Sequence, residues 1–163
     1  MKHLYNLSKL QLAPVPTSFV IAILVVAVLG FADAAYLTIE HFRGVIPPCS
    51  VVSGCETVLT SSYSNILGMP VSLLGAIYYF LIAVGMFAYV DTKKTVILKW
   101  TLSITIFGLL MSLWFIFLQA FVIKAWCLYC LGSAASSIVL FVLAGIVFKK
   151  YMIYKEEILN PKF

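Results

Sequence analysis

The chain has 163 residues, of which 63% are apolar by a broad count and only 10% carry a charge. A water-soluble domain of this size could not cover so many apolar side chains with polar surface, so most of the chain must lie in lipid. The formal net charge of +5 does not indicate nucleic-acid binding, because its basic residues flank long apolar runs.

Four apolar runs are long enough to cross a bilayer, which takes roughly 20 residues in a helix. The predicted helices span about 17–41, 68–90, 98–123 and 126–148. The runs are continuous rather than alternating, which argues against a β-barrel. We therefore predict an all-α membrane protein, a bundle of four transmembrane helices forming one domain over 1–163. A loop covers about 42–67, and its last part, Ser61–Leu67, is predicted as a short interfacial half-helix.

The basic residues divide unevenly between the two sides of the four predicted spans. Nine of them precede the first helix, join the second to the third, or follow the fourth: Lys2, Lys9, Lys93, Lys94, Lys99, Lys149, Lys150, Lys155 and Lys162. Only Arg43 and Lys124 fall on the other side. Because Lys and Arg near helix ends favour the cytoplasm, we predict a multi-pass protein of the cell membrane with both termini cytoplasmic.

In this topology all four cysteines lie on the outer side of the membrane. Cys49 and Cys55 lie in the first outer loop, and Cys127 and Cys130 follow the short third connection as a C-x-x-C motif. All four therefore face an oxidising compartment. The helix start at Cys127 favours a thiolate, the form that attacks disulfides. We expect the loop pair to meet a soluble protein and the inner pair to meet a molecule in the bilayer, with electrons passing between them by thiol–disulfide exchange.

Two other roles for the cysteines stay open at this point. They could form two static structural disulfides, although the tight C-x-x-C closes little chain and so stabilises little. They could instead bind zinc, but the five-residue gap between Cys49 and Cys55 is wider than in a usual zinc knuckle. We favour the redox relay, and we predict no metal site.

Several runs of the sequence together resemble the vitamin K epoxide reductase family. These are the pair Cys49 and Cys55, the run TSSYS at 60–64, the run GMPVSLLGAIYY at 68–79, and WCLYC at 126–130. The resemblance covers about residues 17–148 and is closest to stand-alone microbial members, which lack a fused thioredoxin-like domain. It implies a membrane oxidoreductase that acts on thiols with a quinone as acceptor.

The resemblance also implies a role for each matching residue. Cys130 would face the quinone, and Cys127 would exchange with the loop. Cys55 would be the loop cysteine that links to Cys127, and Cys49 would meet a thioredoxin-fold partner outside the membrane. Ser61 would cap the quinone site. The quinone could be ubiquinone, menaquinone or a vitamin K type.

The chain departs from the vertebrate form of the family at two positions. Val71 stands where that form has an asparagine, and Ala134 stands where it has a tyrosine. These two polar groups hold the vitamin K ring there, so their replacement argues against epoxide reduction, which remains the rival activity. The small residues around Ala134 leave room for a flat ring, or else serve close helix packing. Candidate quinone contacts are thus Cys130, Ser61, Ala134, Val71 and Trp126, the last because it adjoins Cys127.

Asp33 is the one ionisable residue well inside a predicted span. Such residues are usually functional, as proton relays or ligand contacts. Asp33 could also lie near enough the outer end of its helix to reach water or a local partner. The sequence leaves both interpretations open.

Overall fold

The computed structural model describes residues 15–49 and 54–159, and four helices in this part of the chain are long and apolar enough to span a membrane. Helix α1 is Thr17–Arg43, α3 is Val71–Thr92, α4 is Thr95–Phe117 with a π-helical continuation over Leu118–Ile123, and α5 is Leu128–Leu159. The predicted four-helix membrane bundle is therefore confirmed. Three lysines used in the charge argument, Lys2, Lys9 and Lys162, lie outside the described residues.

The bundle is a square in which each helix contacts two neighbours. Helix α1 packs against α3 and α5, and α4 packs against the same two helices from the opposite corner. Its core is built from large buried side chains such as Tyr79, Ile82 and Leu140. Other large apolar side chains point outward, including Phe87 at 71% and Trp100 at 72% exposure, as expected when lipid is the solvent.

Helix α1 meets α3 closely beside one glycine. A Cβ atom at Gly30 would overlap the ring of Tyr79, so this position admits no side chain without a shift of that ring. Without a side chain at this position, the backbone of α1 packs directly against the ring of Tyr79. Tyr79 also contacts α5, since its hydroxyl donates to the Ser133 carbonyl at 2.6 Å. Three helices are thus joined at one level of the bundle.

The segment between α1 and α3 differs from the prediction. The expected half-helix over Ser61–Leu67 is wrong: a short helix, α2, lies earlier at Cys55–Leu59, a 3₁₀ turn follows at Ser62–Ser64, and strands β1 (Asn65–Ile66) and β2 (Met69–Pro70) form an antiparallel hairpin. The Ser61 and Ser64 hydroxyls donate to backbone carbonyls at 2.7 and 2.8 Å, a local bonding pattern that competes with a continuous helix.

The hairpin has its own local cause. Leu67 and Gly68 at its tip both have positive φ, of 51° and 79°. Two such central residues form the turn whose twist matches a tight antiparallel hairpin. The segment therefore closes as a turn where a helix was predicted.

Candidate functional site

The loop pair of cysteines is joined. Cys49 and Cys55 form a disulfide with their Cα atoms 6.1 Å apart. Cys55 begins α2 and is 2% exposed, whereas Cys49 is half-buried. Of the two residues, Cys49 is therefore the more accessible from outside the bundle.

The loop disulfide packs directly over the C-x-x-C motif. Cys55, Val58 and Cys127 form one buried cluster, and Cys49 and Cys130 pack against it. The Tyr129 hydroxyl also donates to the carbonyl of Pro48 at 3.3 Å, which ties the residue before Cys49 to the first turn of α5. The structure thus brings all four predicted cysteines together.

Close contact between loop and motif depends on Gly54. A Cβ atom at Gly54 would lie 2.6 Å from the carbonyl oxygen of Trp126 and 2.8 Å from its nitrogen. Both distances are shorter than any ordinary Cβ contact, and both atoms belong to backbone that cannot rotate away. The residue before Cys55 must therefore be glycine for the loop to sit this close to Cys127.

The surroundings of Cys127 favour the thiolate form of its side chain. It lies just before the first residue of α5, outside the membrane span Leu128–Ile153, and it is fully buried. The pKa of its thiol is lowered from the ordinary value, first by a hydrogen bond from the Cys130 side chain. The backbone N–H of Cys130 also donates to the Cys127 sulfur at 3.4 Å. Burial and the charge of Asp33 oppose this lowering.

Gln119 is a contact that sequence reasoning missed. Its side-chain oxygen accepts the backbone N–H of Cys127 at 2.9 Å, and Gln119 itself is 2% exposed. The contact forms because the end of α4 widens into a π-helical turn, closed by Lys124 with φ 55°. π-Helical turns of this kind occur frequently at functional sites. The only signal in the sequence was one polar residue in an apolar span, eight positions before Cys127.

A cavity of about 730 Å³ opens between the helices below the loop. Its walls are mainly apolar, and they include four of the five candidate quinone contacts: Cys130, Ser61, Val71 and Ala134. A volume of this size is typical of sites for drug-sized ligands and cofactors. Cys130 faces the cavity, and Cys127 faces the loop disulfide.

Trp126 is the candidate that the structure does not bring into the cavity. Its side chain is 41% exposed and does not line the walls. The helix begins only at Leu128, two residues later than predicted, so Trp126 still belongs to the connection after α4. Its backbone serves instead as the surface against which Gly54 rests.

A few polar groups lie within the apolar walls of the cavity. The Tyr79 hydroxyl bonds to Ser133, and the Ser137 hydroxyl donates to the Tyr78 oxygen at 3.1 Å. Asp33 also lines the cavity. Among the described residues no three histidine, cysteine or carboxylate side chains are grouped so as to hold a metal ion.

The comparison with protein families gives one clear match. The model of the Vitamin K epoxide reductase family matches residues 21–145, which is most of the chain. The predicted family is therefore confirmed, and with it the general class of membrane oxidoreductase whose members use a quinone as electron acceptor. A comparison with individual curated proteins gives no match.

Proposed function

The chain belongs to the vitamin K epoxide reductase family, and we propose that it makes disulfides by passing electrons from a thioredoxin-fold protein to a membrane quinone. The observation that carries this proposal is the position of the two cysteine pairs. The Cys49–Cys55 disulfide packs on Cys127, while Cys130 opens onto a mainly apolar cavity. One pair therefore has access to protein, and the other has access to the bilayer.

The first transfer takes place at the loop. A thiolate of the reduced partner attacks the half-buried sulfur of Cys49 and releases the buried Cys55 as a thiolate. The partner's second thiol then resolves the mixed disulfide, so the partner leaves oxidised and both loop cysteines are reduced. Exposure supports this order, because the partner reaches Cys49 more easily than Cys55.

The second transfer links the two pairs. The Cys55 thiolate attacks the sulfur of Cys127 in an inner disulfide, and Cys49 resolves the resulting bond. The products are an oxidised loop and a reduced inner pair. The structure has this combination, with Cys49 and Cys55 bonded and Cys127 and Cys130 free.

The third transfer takes place at the cavity. The dithiol of Cys127 and Cys130 closes to a disulfide and gives two electrons to the quinone. The lowered pKa of Cys127 supports this step, because it increases the share of the thiolate, the form of Cys127 that closes onto Cys130. Ser61, Val71 and Ala134 would surround the ring, and this lining holds a ring through shape more than through polar contacts.

The orientation of the bundle is part of the proposal. Four spans put the loop and the C-x-x-C at one end and both termini at the other. The nine-to-two distribution of basic residues supports cytoplasmic termini in the cell membrane. A membrane-impermeant maleimide added to intact, reduced cells should label Cys49 or Cys55. Labelling that occurs only after permeabilisation would show that the orientation is the opposite one. The loop cysteines would then have no access to secreted proteins.

The proposal is tested with purified protein, a reduced thioredoxin-fold donor and a short-chain quinone. Cys49→Ser should stop quinone reduction by the donor, while dithiothreitol still reduces the inner pair and supports turnover. Cys130→Ser should accumulate a Cys55–Cys127 disulfide, identified by mass spectrometry, and form no quinol. Full activity of Cys49→Ser with the protein donor would disprove the relay, and turnover only on an epoxide would assign the rival activity.

A further inference from the structure

Asp33 lines the cavity, and one of its carboxylate oxygens is buried without a hydrogen-bond partner. Of the buried side-chain nitrogens and oxygens in the described parts of the chain, its Oδ2 is the one that makes no hydrogen bond. A buried carboxyl oxygen without a partner costs folding free energy, since it loses water and gains nothing in return. The packing of the described residues therefore gives no reason for an aspartate at this wall of the cavity.

Helix packing holds Asp33 near the inner cysteine pair. Tyr79 rests on Gly30, one turn before Asp33 on α1, and bonds to Ser133, one turn after Cys130 on α5. The charge of Asp33 acts on Cys127, where it opposes ionisation. Tyr79 thus fixes the turn that carries the carboxyl group against the turn that carries the redox-active sulfur.

Quinone reduction needs protons inside the cavity as well as electrons. When the Cys127 thiolate closes onto Cys130, a sulfur–sulfur bond forms and the Cys130 S–H bond breaks. Two electrons go to the quinone, whose oxygens must take up two protons. Cys130 lines the same mainly apolar cavity as Asp33, so the Asp33 carboxylate is a base available to the Cys130 proton within that cavity.

We infer that Asp33 is the catalytic proton carrier of the cavity, taking the proton from Cys130 and delivering it to a quinone oxygen. In the balanced reaction, one thiolate, one thiol, one quinone and one proton from water give one disulfide and one quinol. Asp33 returns to its starting form in each cycle. The inference rests on the proposed function, and it assigns to this site an acid–base group on α1 that neither cysteine pair supplies.

The test compares Asp33→Asn, which keeps size but cannot carry a proton, with Asp33→Glu, which keeps the carboxyl group. Quinol formation is followed in a single turnover from dithiothreitol-reduced protein and a short-chain ubiquinone. Asp33→Asn should slow it about 100-fold, a typical contribution of general acid–base catalysis. Asp33→Glu should recover a substantial part of the rate. Equilibrium binding of the same quinone, read from tryptophan fluorescence, should change less than about twofold in Asp33→Asn.

Glu40→Gln is the matched control. It makes the same carboxylate-to-amide change on the same helix, at a residue that does not line the cavity and that pairs with Arg43 at 3.2 Å. Its quinol formation should equal the wild-type rate. Asp33→Ser serves as a second neutral variant if Asp33→Asn does not fold, with the same expected loss.

Three results would overturn the inference. Asp33→Asn could form quinol at the wild-type rate, or its quinone binding could weaken as much as its rate falls, which would make Asp33 a binding contact only. Alternatively, exchange between the loop and Cys127 could slow equally, which would make the role structural. If the wild-type protein itself does not reduce quinone, the proposed function is wrong. That result is distinguishable from a failure of the inference about Asp33 alone.

Discussion

Gly54→Ala tests whether close packing of the loop on the inner pair sets the rate of electron transfer between the pairs. The added Cβ would lie 2.6 Å from the Trp126 carbonyl oxygen, where ordinary contacts begin at 3.4 Å. The loop must therefore retreat by about 0.8 Å, and Cys55 moves with it. A displacement of about 1 Å at a reacting group can cost roughly 100-fold in rate. We expect a loss of about 10- to 100-fold in exchange between Cys55 and Cys127.

The assay isolates that one step. Protein with both pairs oxidised is mixed with a reduced thioredoxin-fold donor, quenched with acid, alkylated, and read by mass spectrometry for free Cys127. Direct reduction of the inner pair by dithiothreitol, followed by quinone reduction, should stay near the wild-type rate. Gly145→Ala is the control, since nothing lies within 4 Å of a Cβ there. Wild-type exchange in Gly54→Ala would refute the account of loop packing.

Three further predictions concern the inner pair and the cavity. Gln119→Leu leaves the buried N–H of Cys127 without an acceptor, so it should lower the free energy of unfolding by about 1–3 kcal/mol; a thermal unfolding temperature equal to that of wild type would contradict this. Ala134→Phe fills part of the cavity, so it should raise the apparent KM for quinone about tenfold, equivalent to roughly 1.4 kcal/mol of binding, without slowing exchange at Cys127. Unchanged quinone kinetics would show that the quinone ring binds at another wall of the cavity. Cys130→Ala removes the main cause of the lowered Cys127 pKa, so the thiolate absorbance of Cys127 should appear at higher pH than in Cys130→Ser, whose hydroxyl can still donate. Coincident titrations in the two variants would exclude that hydrogen bond as the cause.

The four spans could be predicted because lipid imposes a length and a composition on any helix that crosses it. The start of α1 agrees with the prediction, and α4 ends at Ile123 as expected. Helix α5 runs on to Leu159, beyond the predicted end at 148, because helical hydrogen bonds continue in water where hydropathy no longer marks them.

The loop could not be predicted in the same way. Its structure depends on short hydrogen bonds of serine hydroxyls and on positive φ at Leu67, a residue that rarely adopts it. The apolar residues of Ser61–Leu67 suggested an amphipathic helix, but local side-chain-to-backbone bonds and the hairpin turn decided the outcome.

The arrangement of the four cysteines could be predicted from the sequence. Spacing and topology placed Cys49 and Cys55 in one pair and the C-x-x-C in another, and the structure brings them together. The contact from Gln119 to Cys127 requires a π-helical turn, for which the sequence has no periodic signature. The cavity walls likewise depend on where α5 begins, which is why Trp126 was wrongly expected among them.

The most direct test of the central claim is a count of electrons. Purified protein in liposomes is given a limiting amount of reduced thioredoxin-fold donor and excess quinone without oxygen, and both quinol and donor disulfide are measured. The account predicts one quinol for each donor disulfide, with none formed when Cys130 is replaced by serine. Donor oxidation without quinol, or quinol formation that persists in Cys130→Ser, would contradict it.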